Sequence, residues 1–90
     1  MSPNEKLVLR YAYENYLKTG DCYFVYHCND GKEWLRVVDG MHYLYESGLV
    51  NEVPEIVKRG YGSAPMCLDI DGNITDRGIE KARFEWELKG

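Results

Sequence analysis

Basic side chains are the minority in this 90-residue chain, with 11 Lys and Arg against 15 Asp and Glu and a net charge of −4. That shortage excludes a domain that holds phosphates through its overall charge, so any contact with nucleic acid must come from a local patch. No apolar run approaches the length of a membrane span, and the first residues are polar and charged. Neither membrane association nor a signal peptide is expected. Cysteine is scarce and odd in number: Cys22, Cys28 and Cys67 share no zinc-type spacing. Reduced thiols in a cytoplasmic protein are the expectation, without metal or cofactor.

Catalytic patterns are missing as well. The chain has no Gly-rich phosphate loop, no Ser-His-Asp order and no paired carboxylates, and so small a domain leaves little room for a closed cleft. No enzyme activity is expected. Cys22, His27 and Cys28 invite a metal reading, but strand alternation puts His27 on the face opposite both thiols. Asp69-Ile70-Asp71-Gly72-Asn73 has the flavour of a calcium loop, yet it lacks the later bidentate Glu, and a capped β-turn explains it.

Aromatics, by contrast, are abundant: eight Tyr and two Trp, within a hydrophobic content of 44%. One folded domain spanning 1–90 is expected, with large side chains whose polar tips need water or a partner. Ser2-Pro3-Asn4-Glu5 opens a helix, with Ser2 as cap, Pro3 in the first turn and Glu5 completing a capping box. Leu7, Val8, Tyr11, Ala12 and Tyr16 build its apolar side, while Arg10, Glu14 and Lys18 form a polar stripe. Gly20 ends it. Leu9, Tyr13 and Leu17 form a second flank, so this helix has more apolar surface than one small core requires.

Cys22 to Tyr26 has strand composition between two turn signals. Asp30 and Glu33 then cap a helix over about 32 to 47, with Trp34, Val37, Val38, Met41, Leu44 and Tyr45 on one face. Gly40 inside it costs about 1 kcal/mol relative to Ala unless a neighbouring backbone needs the room; a break at Asp39-Gly40 is the alternative. Leu49 to Val53 reads as a strand and 59–65 as a turn or loop. Met66 to Ile70 reads as the returning strand, with Asp71-Gly72 as its turn. Thr75 caps a last helix whose inner face holds Ile79, Ala82 and Trp86.

This order resembles the winged helix-turn-helix superfamily in its small bacterial and phage form, similar in outline to MarR- and PadR-like domains and to the YjcQ-type proteins. The residues that carry the likeness are Met41 to Val50, with Ser47-Gly48-Leu49-Val50 closing the helix, and Ile74-Thr75-Asp76-Arg77-Gly78 opening the last one. The implied fold is α+β, a three-helix core with a β-hairpin wing. Residues 21–31 depart from the pattern, which would put a short helix there.

What the resemblance implies is a transcription regulator binding double-stranded DNA. The helix from Lys32 to Glu46 would enter the major groove and the wing tip at 58–63 would touch the backbone. Lys32, Arg36 and Tyr43 would then probe the groove, with Lys58, Arg59 and Tyr61 on phosphate and sugar. The outward helix face also shows Leu35, Asp39, His42 and Glu46, so its charges nearly cancel. A protein-interaction module without DNA binding is the competing expectation. Leu9, Tyr13 and Leu17, with Phe84 and Leu88 of the last helix, are the candidates for an apolar homodimer interface.

Overall fold

A computed structural model of the protein describes residues 1–51 and 69–88, apart from the side chain of Leu88. Helix α1 (Pro3–Thr19) leads to strand β1 (Tyr23–His27), helix α2 (Gly31–Glu46), strand β2 (Asp69–Asn73) and helix α3 (Asp76–Arg83). The last helix runs on into a π-helical turn, Phe84–Leu88. The architecture is α+β.

Local chemistry sets most element ends. The Ser2 hydroxyl accepts from Glu5 N, the Glu5 carboxylate accepts from Ser2 N, and Pro3 occupies the first turn of α1. These bonds satisfy helix-terminal donors that have no intrahelical partner. Gly20 closes the helix in the left-handed region at φ 76°, and Gly48 has the same φ beyond α2. Asp30 caps α2 through Glu33 N at 2.8 Å, and Thr75 caps α3 through Gly78 N at 2.9 Å.

The extended reading of residues 22–26 matches β1. It pairs antiparallel with β2, Phe24 facing Gly72 and Tyr26 facing Ile70. On its other side the β2 segment meets the chain leaving α2: Val50 bridges Ile74, Asn51 N donates to Asn73 O at 2.9 Å, and Thr75 N donates to Leu49 O at 3.0 Å. The segment ending at Ile74 thus lies between β1 and Leu49–Asn51.

The α2 stripe of Trp34, Val37, Val38, Met41 and Leu44 faces Val8, Leu9 and Ala12 of α1 and Phe24, Ile70 and Ile74 of the strands in one buried cluster. Helix α2 is continuous through Gly40. There the helices approach so closely that a β-carbon would overlap the Asn4 carbonyl oxygen, with the Asn4 carbonyl carbon only 2.8 Å away.

Several expectations require correction. Asp71-Gly72 lies inside a strand rather than at a turn, because pairing with Val25 and Phe24 of β1 holds it extended, with Gly72 under the Met41 methyl and the Phe24 ring. Tyr45 is exposed, not part of the inner face of α2. Leu9 and Tyr13 are buried inside the chain, since α1 packs against the C-terminal helix along that flank and Tyr13 meets Arg83 and Glu87. Leu7 is exposed, and Tyr11 and Tyr16 only flank the core.

Candidate functional site: the outer face of helix α2

The buried stripe of α2 fixes what its other side presents. Lys32, Leu35, Arg36, His42, Tyr43 and Glu46 all lie exposed. Lys32, Arg36 and Tyr43 follow one another at helical spacing along roughly 16 Å of axis, at 1.5 Å per residue. Neither Lys32 nor Arg36 has an ion-pair partner among the described residues. Leu35 and Tyr43 are 50% and 46% accessible, large values for apolar and aromatic groups.

Both ends of this face are acidic. At the N-terminal end Asp30 is engaged with Glu33 N and the Glu33 carboxylate accepts from Asn29 N at 2.9 Å. Carboxylates at a helix N-terminus are held by the dipole as well as by these bonds. At the C-terminal end His42 Nε2 lies 3.1 Å from Glu46 Oε1, and the His42 and Tyr43 rings meet edge to face. Asp39 is half-buried and accepts from Asn4 Nδ2 at 2.9 Å, so it serves the α1–α2 contact rather than the open face.

The strand ribbon adds more acid. On its exposed face His27 Nδ1 lies 2.7 Å from Asp69 Oδ1, and the Tyr23 hydroxyl donates to Asp71 Oδ2 at 3.0 Å. Burial is the main reason that the Cys28 thiol is pushed up to about 11, and Glu33, Asp69 and Asp30 add to it. Cys22 and Cys28 lie on one side of the strand and His27 on the other, as alternation requires.

Lys32, Arg36 and Tyr43 are therefore brought together. Lys58, Arg59 and Tyr61 lie outside the described residues. Of the apolar interface candidates, Leu17 and Phe84 are exposed at 56% and 53%, while Leu9 and Tyr13 belong to the interior. Tyr11, Tyr26 and Trp86 also come together with Lys6 around a groove. No local motif marks those residues, which come from three elements.

No helix among the described residues is long and apolar enough to cross a membrane. Comparison with protein-family models, curated proteins and solved structures finds no match for this chain.

Proposed function

We propose that this chain is a winged-helix regulator that touches double-stranded DNA through Lys32, Arg36 and Tyr43, with Lys58, Arg59 and Tyr61 completing the contact from the wing. The observation that carries the reading is the order of the sheet. A strand precedes α2, an extended segment follows it, and the last strand runs between the two. That order supports reading the fold as a winged helix with one helix fewer, and α2 has one side in the core and one side open. Folds of the helix-turn-helix kind place such a helix in the major groove. Two cations without an ion-pair partner among the described residues, Lys32 and Arg36, supply local positive charge on the open side. Free thiols at Cys22 and Cys28 fit a cytoplasmic setting.

Binding to a random duplex at low salt, followed by fluorescence anisotropy, tests this. With two phosphates engaged per α2, the logarithm of affinity should fall against the logarithm of salt with a slope of about −1.8, and more steeply if 58–59 take part. Lys32→Glu with Arg36→Glu should abolish binding. Undetectable binding at low salt, or binding indifferent to that double reversal, overturns the proposal.

The second reading is a protein-interaction module, favoured by the accessible Leu35 and Tyr43 between acidic helix ends. Under it, Leu35→Glu removes partner or self-association while the duplex is ignored. A homodimer built on the terminal helices would rest on Leu17, Phe84 and Leu88, and Phe84→Glu should then halve the mass seen by sedimentation.

A further inference from the structure

Away from α2, aromatic rings from three elements converge on the outer stripe of α1. Tyr11 of α1, Tyr26 of β1 and Trp86 of the C-terminal turn line a groove of about 420 Å³, which is floored by Lys6, Leu7 and Arg10. Residues 3, 6, 7, 10, 11 and 14 recur at intervals of three and four, so one face of α1 forms the floor. The volume suits a small ligand, and the lining has the usual composition of such sites, mostly apolar and aromatic with a few polar groups.

The polar groups are not equivalent. The Tyr11 hydroxyl donates to the Val25 carbonyl, so Tyr11 offers the groove only its ring. That ring lies 4.6 Å from the ring of Tyr26, centre to centre, at 48°. The Tyr26 hydroxyl has no hydrogen-bond partner among the described residues, and burial foremost, with Glu33 behind it, raises its pKa, so it stays a donor at neutral pH. Arg10 Nε is held by Glu14 Oε1 at 3.1 Å. That pair cancels, and Lys6 remains as an unmatched cation among the described residues. Lys6 and Arg10 against Glu14 leave +1 at the groove, on a chain whose total is −4.

A quaternary ammonium would be repelled by Lys6, and a purely apolar guest would gain nothing from it, whereas an anion gains a charge-assisted contact there. A larger groove of about 560 Å³ beside α3 lacks the aromatic walls: no aromatic ring lines it. We propose that the groove over α1 binds a planar aromatic anion, with its ring against Tyr26 and Trp86 and its carboxylate or phosphate on Lys6. Aromatic stacking and a charge-assisted contact then act on opposite ends of one small molecule. The proposal does not rest on DNA binding: no residue of α2 lines the groove, and Glu33 and Arg36 of that helix act on Tyr26 only through their charge.

Two probes separate the sources of such an anion: a naphthoate for free aromatic acids and adenosine monophosphate for nucleotides. Proton–nitrogen NMR reads the two indole N–H groups separately. Saturable movement of the Trp86 signal with either probe, while the core Trp34 signal stays in place, is the expected result. The responding probe names the source. Lys6 is exposed, so Lys6→Gln keeps the fold; it should weaken binding about tenfold, the worth of one charge-assisted bond. The uncharged naphthamide should lose a similar factor on the unaltered protein. If neither probe moves Trp86 saturably, or if Lys6→Gln binds as tightly as the original, the proposal is wrong.

Discussion

Gly40 of α2 rests against the main chain of Asn4 in α1, while the Asn4 side chain donates to Asp39 at 2.9 Å, so a backbone contact and a side-chain bond fix the helix crossing at one point. The glycine that weakens α2 on its own is what allows the two helices to touch. Replacing it with alanine should favour the isolated helix by about 1 kcal/mol. The added carbon must nevertheless displace backbone, and overpacking of this kind costs about 1–3 kcal/mol or more. We expect Gly40→Ala to lower the urea midpoint clearly. Gly31→Ala, where a new β-carbon meets open space, should leave it unchanged or slightly raised.

Thr75 works in two directions. Its hydroxyl accepts from Gly78 N at 2.9 Å and donates to the Gly48 carbonyl at 2.8 Å, tying the start of α3 to the end of α2. Thr75→Ala removes a helix cap and leaves the Gly48 carbonyl without this donor, a loss of about 1–2 kcal/mol in thermal or urea unfolding. Thr75→Ser keeps the hydroxyl and should recover most of it.

The outer edge of β1 is closed by side chains of α1. The Tyr11 hydroxyl donates to Val25 O, and Asn15 Nδ2 donates to Tyr23 O at 2.8 Å. An open strand edge is a template for pairing with another chain. Tyr11→Phe with Asn15→Ala should cost about 0.5–1.5 kcal/mol per lost bond and increase association on concentration, read by light scattering. Unchanged stability in the double variant would show that these bonds contribute nothing net.

Cys28 gives a pH test whose sign is fixed. Burial raises its thiol from an ordinary 9.0 to about 11 in the folded chain. The unfolded chain therefore releases this proton first as pH rises. Stability from this group is fully present below pH 9 and declines as pH climbs from there towards 11. At pH 8 iodoacetamide should modify the half-buried Cys22 well before Cys28, as peptide mapping would show, because the thiolate is the reactive form. Equal rates would mean that β1 opens readily.

Much of this fold could be read locally. Ser2, Asp30 and Thr75 are small polar residues ahead of apolar-periodic runs, and each caps the helix it precedes. Gly20 and Gly48 mark helix ends because a left-handed φ costs glycine little. The strand read at 22–26 from its aromatic composition lies at Tyr23–His27. Asp71-Gly72 favours a turn in isolation, but pairing with Val25 and Phe24 of β1 holds both residues extended.

The candidate sites were legible only in part. Alternation around α2 was enough to place Lys32, Arg36 and Tyr43 on the open side, since burying Trp34, Val37, Val38, Met41 and Leu44 leaves them nowhere else. Asp39, by the same periodicity an outward residue, is claimed by Asn4, which lies 35 positions away. No local pattern reports that.

The amino-acid order alone therefore settled where the helices begin and most of the stripe of α2 that turns inward, Tyr45 apart, because caps and hydrophobic periodicity act over three or four residues. Tertiary packing decided the rest. It determined which flank of α1 stays dry, why Gly40 is tolerated, and that Tyr11, Tyr26 and Trp86 share one groove with Lys6. Those outcomes depend on distances between residues far apart in the chain, set only when the helices and the strand ribbon close on a common core.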